Sequence, residues 1–184
     1  MNPLIIDTLP TPNPNALMFK VEVPLVERGT YEFKDASAAE GAPLAARLFG
    51  IEGVDQVLVT SRFVTVNKLA EADWQALTSP IKGEIRQHVA SGNAAVGEQQ
   101  QVEALDNDSE LARQIIDLID EEIRPAVAMD GGDVQFVGIT DDMVVQIRLI
   151  GACSTCPSST ATLSFGIERL LVEEFPDVAG VIQV

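Results

Sequence analysis

The sequence predicts an α+β protein made of two small α/β-sandwich-type domains joined by a flexible linker. Both halves of the 184-residue chain contain segments with the alternating apolar pattern of strands and segments with the spacing of amphipathic helices. Between them, residues 91–108 are small and polar and show little periodicity, which is typical of a flexible linker. We therefore predict domains at residues 1–90 and 109–184.

The N-terminal half contains elements of both kinds. Their predicted order is strands at 16–23 and 30–34, a helix at 43–49, a hairpin of strands 57–60 and 63–66, and a helix at 73–89. Gly50 is expected to end the first helix, since glycine is favoured just past a helix end. The second helix is the better defined, because apolar residues recur at helical spacing through it: Trp74, Leu77, Ile81, Ile85 and Val89.

The C-terminal half begins with a predicted helix. Ser109 can cap this helix, and Pro125 is expected to kink or end it. The remaining elements follow in order: a turn at 130–133, strands at 134–139 and 143–150, a loop with two cysteines, a helix that stops before Pro176, and a closing strand at 178–184.

The two cysteines are the most informative residues of the sequence. Cys153 and Cys156 are the only cysteines of the chain, and they lie between the end of a predicted strand and the start of a predicted helix. Their spacing lets both sulfurs turn toward one metal centre. Pro157 suits the first helical position, which puts Cys156 at the positive end of the helix dipole, where a thiolate is favoured.

The spacing alone leaves an iron–sulfur centre, a zinc site and thiol–disulfide chemistry open. A thioredoxin-like motif follows the first strand of a βαβ unit, whereas this pair comes late, after two antiparallel strands. A structural zinc site usually has two such pairs in one chain. A thiol–disulfide oxidoreductase and a zinc-bridged interaction module therefore stay as alternatives to an iron–sulfur protein.

One chain offers only half of the ligands that an iron–sulfur cluster needs. Such clusters ordinarily take four thiolates, and this chain has two. His88 lies in the other half and is interpreted as an ordinary surface or packed histidine, while carboxylates are poor ligands for so soft a site. Two chains that meet at the loop would complete the set, so a cluster is expected at the contact of a homodimer.

The acidic composition limits the partners of the chain. A net charge of −16 argues against nucleic acid and anionic membranes, since both need Lys and Arg for neutralisation. No apolar run is long enough for a transmembrane helix. Residues 1–7 have neither the pattern of a secretory signal nor that of a transit peptide. The sequence therefore predicts a cytoplasmic protein, with a trimmed organellar form as the alternative.

Several segments together resemble a known family. In the C-terminal half, Asp-Gly-Gly-Asp at 130–133, Gly-Ala-Cys-Ser-Thr-Cys-Pro-Ser-Ser at 151–159 and Thr-Leu-Ser-Phe-Gly-Ile-Glu at 162–168 resemble the C-terminal domain of NifU, the Nfu-type scaffold domain. In the N-terminal half, residues 11–19 and 51–54 resemble the Nfu N-terminal domain. The resemblance covers nearly the whole chain and keeps this domain order.

This resemblance implies a carrier rather than an enzyme. Members receive a [4Fe–4S] cluster from upstream assembly proteins and pass it to apo iron–sulfur client proteins, and their cluster ligands map onto Cys153 and Cys156. The N-terminal domain is implied to recognise partners or clients and has no ligand residues. Ser164 and Met18 depart from the family, which often has Lys at both positions, but neither change removes a ligand.

Overall fold

The structure is a computed structural model of the chain, and it describes residues 4–27, 29–97, 109–153 and 157–184, without the side chains of residues 157–162. The chain divides into two compact units, residues 1–102 and 103–184. Each unit has its own hydrophobic core and contains both helices and strands, which confirms the α+β prediction. Among the described residues, no helix has the length and apolar character needed to cross a membrane.

The predicted linker is only partly described. Residues 98–108 lie outside the described residues. The flexibility of the linker and the domain boundaries at residues 90 and 109 therefore stay predictions.

The N-terminal unit is built on a five-stranded antiparallel sheet with the order β1-β2-β5-β4-β3. Its strands are β1 (Ile6–Pro10), β2 (Ala16–Val21), β3 (Tyr31–Phe33), β4 (Val54–Val59) and β5 (Phe63–Lys68). The hairpin of β4 and β5 places Val57 opposite Val66 and Val59 opposite Val64, so these four valines share one face. All four are buried, which fixes the register of the central strands.

Two helices, α1 (Pro43–Phe49) and α2 (Trp74–Ser91), share a core with this sheet. α1 ends at Gly50 as predicted, and the N–H of Gly50 donates hydrogen bonds to carbonyl oxygens in the last turn of the helix. Asp73 caps α2, because its carboxylate accepts a hydrogen bond from the N–H of Gln75 at 3.0 Å. Fully buried side chains from both layers make up this core: Phe19, Leu44, Leu48, Val57, Val59, Val64, Val66, Ile81 and Ile85.

The Pro- and Asn-rich segment at 11–15 is a fixed turn between β1 and β2. Lys68 Nζ donates to Asn15 Oδ1 at 3.1 Å, and Trp74 Nε1 donates to the carbonyl of Pro14 at the same distance. Trp74 itself is half-buried at the edge of the core.

The C-terminal unit begins with a long helical segment. Its parts are α3 (Glu110–Leu118), a π-helical turn (Ile119–Ile123) and α4 (Arg124–Met129). Ser109 Oγ accepts a hydrogen bond from the N–H of Ala112 at 3.1 Å, which confirms the predicted cap. The helix does not end at Pro125, because the wider π-helical turn just before it accommodates a residue that has no N–H to donate.

A three-stranded sheet with the order β6-β7-β8 packs against these helices. Its strands are β6 (Gly132–Ile139), β7 (Val144–Gly151) and β8 (Gly180–Gln183). β6 and β7 are antiparallel, while β8 is parallel to β7 and is reached through α5 (Pro157–Glu174), as a parallel connection requires. Val145, Ile147 and Leu149 lie on the buried face of β7, because alternate residues of a strand point to the same side of the sheet.

One strand is not predicted from the sequence. Residues 6–10 form β1, an edge strand whose register with β2 runs from Ile6 opposite Val21 to Pro10 opposite Leu17. Only Ile6 of this strand is buried, so the segment lacks the alternation by which strands are recognised. Main-chain pairing with β2 therefore determines this element.

Candidate metal centre

The loop with the cysteines connects β7 to α5, at the place that the sequence predicts. β7 ends at Gly151, whose φ of 75° is a left-handed conformation that glycine adopts at little cost. Cys153 follows two residues later, and α5 begins at Pro157, the predicted first helical residue. Cys156 lies outside the described residues, together with Ser154 and Thr155, so its position relative to Cys153 stays a prediction.

Cys153 is buried, with 1% of its surface exposed. Its sulfur packs against Gly132, the first residue of β6, where a Cβ atom would lie 2.6 Å from Cys153 Sγ and 2.7 Å from the carbonyl oxygen of Ile150. Such distances are far shorter than ordinary contacts, so only glycine leaves room for the sulfur at this position. Gly132 thus forms one wall of the space that holds the Cys153 side chain.

The turn before β6 also contacts the cysteine loop. Gly131 has a φ of 76°, and its carbonyl accepts a hydrogen bond from the N–H of Ala152 at 3.3 Å. The predicted tight turn at the two glycines is therefore confirmed for Gly131. Gly132 has the separate role of leaving space for Cys153.

An ion-pair network anchors the start of β6 to the preceding helix. Arg124 lies within 3.0 Å of Asp120 and within 3.3 Å of Asp133, measured from its nitrogens to their Oδ1 atoms. Arg124 Nη2 also donates to the carbonyl of Val134 at 3.3 Å, and Asp133 Oδ1 accepts from the N–H of Val134 at 2.7 Å. Asp133 is the residue after Gly132, so the network holds the strand that carries the wall of the cysteine site.

The contact between Arg124 and Asp133 is electrostatic rather than a well-directed hydrogen bond. Arg124 Nε lies at ion-pair distance from Asp133 Oδ1 but makes no hydrogen bond within the part of the chain that the structure describes. The side chain of Asp133 is 5% exposed and that of Arg124 is 40% exposed, so solvent partly screens the pair.

His88 was the other residue considered as a ligand, and it lies on α2 in the N-terminal unit. Of the two interpretations from the sequence, a surface histidine or a packed one, the structure shows the packed one. It is 3% exposed, and burial, with a smaller effect from the positive charge of Arg47, holds its pKa below the usual 6.5. Throughout the described ranges, His, Cys, Asp and Glu side chains form no group of three or more that could hold a metal ion.

Two features of the site were missed by sequence reasoning. The sequence places Gly132 in a turn, and it predicts neither the contact of Gly132 with Cys153 nor the pairing of Arg124 with Asp133. The pair of glycines before a strand was visible in the sequence. No sequence signal, however, shows that the second of them faces a sulfur 21 positions further along the chain.

The fold and the loop define a class of α+β proteins with two domains, in which the second domain presents a cysteine pair between a strand and a helix. Residues 6–92 match the family model described as "Scaffold protein Nfu/NifU N terminal", and residues 115–182 match the model described as "NifU-like domain". Both cysteines lie within the second match. The two matches follow the order of the two units.

Proteins similar in sequence cover nearly the whole chain. The human "NFU1 iron-sulfur cluster scaffold homolog, mitochondrial" is 41% identical over 184 residues, which is 98% of this chain and 72% of the human protein. "NifU-like protein 5, mitochondrial" from Arabidopsis thaliana is 38% identical over 186 residues, which is 98% of this chain and 68% of the plant protein. The chain therefore belongs to the Nfu-type family of NifU-like scaffold proteins.

A solution NMR structure of a NifU-like protein from Saccharomyces cerevisiae has a partial likeness to the chain. The alignment covers 53% of this chain and 88% of the yeast chain, with 23% identity and a TM-score of 0.48.

Proposed function

We propose that the chain carries a [4Fe–4S] cluster between two copies of itself and transfers it to apo-proteins, with Cys153 and Cys156 of each copy as the ligands. The observation that carries this proposal is the cysteine pair in the β7–α5 loop of a chain that belongs to the Nfu-type family. The printed name of the human relative describes an iron–sulfur cluster scaffold, and the proposal extends that role to this chain.

Ligand counting supports the shared centre. Each chain contributes two thiolates, whereas a [4Fe–4S] cluster ordinarily takes four. Two copies related by a two-fold axis would present the same loop to each other, as the common symmetry of homodimers allows. The cluster would then lie at the interface of two copies, from which it can be released when the copies separate, and not inside the core of one chain.

The surroundings of Cys153 suit a soft metal ligand. Its sulfur lies among apolar residues of the core and against Gly132, and no acidic side chain is needed to complete the site. Cys153 is covered in this structure, so binding requires its side chain to turn away from Gly132 toward the cargo. In this structure the sulfur fills the space that the missing side chain of Gly132 leaves.

Transfer would proceed by exchange of ligands. A thiol of the apo-protein loses its proton as it binds iron, and the cysteine that it replaces takes up a proton as it leaves. Four such exchanges move the cluster with no net change in electrons, so the chain needs no redox partner for this step. On this proposal it turns over no substrate and is not an enzyme.

Anaerobic reconstitution of the full chain tests the proposal. We expect a brown protein with about two iron and two sulfide ions per chain and the mass of a dimer, because one four-iron cluster is shared by two copies. Cys153→Ser and Cys156→Ser should each abolish loading. A monomer that holds a complete cluster, or variants that load normally, would contradict the proposal.

The same preparation separates the alternatives. A colourless protein that contains zinc would support a zinc-bridged module, and reduction of insulin disulfides without bound metal would support a thiol–disulfide oxidoreductase. A chain consisting of residues 109–184 should also acquire a cluster, since this part has its own core and both proposed ligands. Loading of the full chain alone would contradict this modular interpretation.

Cell location and partners belong to the same proposal. We propose a cytoplasmic carrier that receives its cluster from assembly proteins and recognises clients through its N-terminal unit. The two relatives named above are described as mitochondrial, which supports the organellar alternative for those proteins. Detection of the chain in fractionated cells of its source would decide between the two locations.

A further inference from the structure

The start of β6 connects the cysteine site to a charged side chain of the preceding helix. Gly131 binds the cysteine loop, because its carbonyl accepts a hydrogen bond from the N–H of Ala152 at 3.3 Å. Gly132 lies against Cys153 Sγ, and Asp133 is the next residue of the strand. Consecutive residues of a strand are about 3.3 Å apart, so whatever fixes Asp133 also fixes the backbone beside the sulfur.

Arg124 holds this part of β6 at two successive residues. Its Nε lies 3.3 Å from Asp133 Oδ1, and its Nη2 donates to the carbonyl of Val134 at 3.3 Å. The same Oδ1 atom accepts a hydrogen bond from the N–H of Val134 at 2.7 Å. A guanidinium is planar and rigid, so contacts from two of its nitrogens restrain both the position and the direction of the strand.

The second carboxylate partner of Arg124 cannot have this effect. Asp120 Oδ1 lies 3.0 Å from Arg124 Nη2, but Asp120 belongs to the same helical segment, and its side chain is 49% exposed. Asp133 lies on a different element, and its side chain is 5% exposed. The pair with Asp133 therefore joins the helix to the sheet, whereas the pair with Asp120 acts within the helix alone.

We infer that Arg124 and Asp133 are positioning residues for Cys153, and that their ion pair keeps Gly132 against the sulfur, so that the thiol stays covered until it binds its cargo. The inference rests on the proposed function, because that function makes Cys153 a ligand. Neither charged side chain needs to touch the cluster, since both act through the backbone of β6. Cys153 is 1% exposed, so loading requires that it be uncovered first.

Uncovering is an equilibrium between a covered and an open form of the site, and local opening of this kind takes less free energy than global unfolding. The sulfur is uncovered when its own side chain turns out of the loop or when the start of β6 moves away from it. The ion pair disfavours the second route, because moving β6 separates the buried carboxylate of Asp133 from its partner. Breaking the pair should therefore raise the population of the open form.

The rate at which Cys153 reacts with a disulfide reagent measures this equilibrium. All variants are made in the full chain with Cys156→Ser, in which Cys153 is the only thiol. Asp133→Asn removes the charge of the buried partner and keeps its shape, and Asp120→Asn does the same to the exposed partner. The two variants are a matched pair, because each leaves Arg124 with one carboxylate.

We expect Asp133→Asn to increase the reaction rate about fivefold to thirtyfold, the factor for loss of a partly screened ion pair. Asp120→Asn should leave the rate within about twofold of that of the Cys156→Ser chain. Arg124→Met removes both contacts with β6, so it should act as Asp133→Asn does and takes its place if that variant does not fold. Equal rates in the variants of the buried and the exposed pair would overturn the inference.

Two further measurements separate positioning from a mere loss of stability. Low concentrations of urea should change the rate in Asp133→Asn only slightly, because local opening exposes little surface. Combination with Gly132→Ala should give less than the product of the two single effects, since the ion pair has nothing left to hold once the contact with the sulfur is lost. A urea dependence as steep as that of global unfolding, or effects that multiply, would overturn the positioning role.

The reaction of the thiol needs no cluster, so the inference and the proposed function fail in different ways. If Asp133→Asn and Asp120→Asn react alike while the unchanged protein loads as a dimer with about two iron ions per chain, only the positioning role is overturned. If Cys153→Ser loads normally, the proposed function is overturned and the inference with it, whatever the reaction rates.

Discussion

The wall that Gly132 forms beside Cys153 gives the sharpest prediction. Gly132 has no left-handed backbone conformation, so an alanine is tolerated there as far as φ is concerned. The obstacle is space, because the new Cβ would lie 2.6 Å from Cys153 Sγ, 2.7 Å from the Ile150 carbonyl oxygen and 3.0 Å from Cys153 Cβ. Gly132→Ala therefore tests packing rather than backbone strain.

The size of the stability change depends on whether the atoms around the new methyl group can move. The Ile150 carbonyl belongs to the backbone of β7, which is paired with β6, so it cannot move without disturbing the sheet. Inserting a methyl group into a packed site costs about 1–3 kcal/mol. Replacing a glycine within a strand by alanine by itself raises the free energy of unfolding by about 0.5–1 kcal/mol. We expect Gly132→Ala to lower the free energy of unfolding of the C-terminal unit by about 1–2 kcal/mol.

The same strand supplies a matched control. At Gly138 a Cβ would meet only the end of the Gln146 side chain, at 4.0 Å. Gly138→Ala should therefore be neutral or slightly stabilising. Urea unfolding of both variants, followed by circular dichroism, measures the difference in the unloaded chain. Because alanine pushes the sulfur away from β6, Gly132→Ala should also make the Cys153 thiol react faster with a disulfide reagent.

A clear result would contradict this reasoning. If Gly132→Ala is as stable as Gly138→Ala and the reactivity of Cys153 is unchanged, the sulfur does not depend on the space at Gly132. The contact would then have no part in positioning the proposed ligand.

Three further predictions concern both units. His88 is the only histidine, and its pKa in the folded chain lies below 6.5 because of burial and then the charge of Arg47. As the pH falls, the unfolded chain therefore binds a proton at His88 before the folded chain does. The free energy of unfolding of the N-terminal unit should then decrease below about pH 6.5. His88→Gln should remove most of this dependence on pH, as measured by urea unfolding between about pH 5 and pH 7. Arg124→Met should lower the free energy of unfolding of the C-terminal unit by about 1–2 kcal/mol, a figure that allows for the partial exposure of Arg124. Asp120→Asn breaks only an exposed pair at i,i+4 and should lower it by about 0.5 kcal/mol or less. Urea unfolding measures both variants. Ser109→Ala removes the cap of α3 and should cost about 1 kcal/mol, read from thermal unfolding; an unchanged midpoint would mean that the end of the helix is frayed in solution.

Much of the fold could be predicted from local pattern. The apolar spacing in α2 and in β7 indicates which sides are buried, because periods of 3.6 and two residues follow directly from backbone geometry. Ser109 could be identified as a cap because a side-chain oxygen before a helix satisfies an N–H that otherwise has no partner. β1 could not be identified, since its only buried residue is Ile6 and its partner strand decides its conformation.

The features of the candidate site likewise fall into those that local sequence predicts and those that it does not. The spacing of Cys153 and Cys156 and the position of Pro157 are properties of neighbouring residues, so the sequence by itself determined the paired thiols, the loop that carries them and the count of two ligands per chain. The contact of Cys153 with Gly132 and the pairing of Arg124 with Asp133 join residues that are distant in sequence or lie on different elements. Only the tertiary structure decided these, because they depend on how β6 registers against β7 and packs beneath the helix.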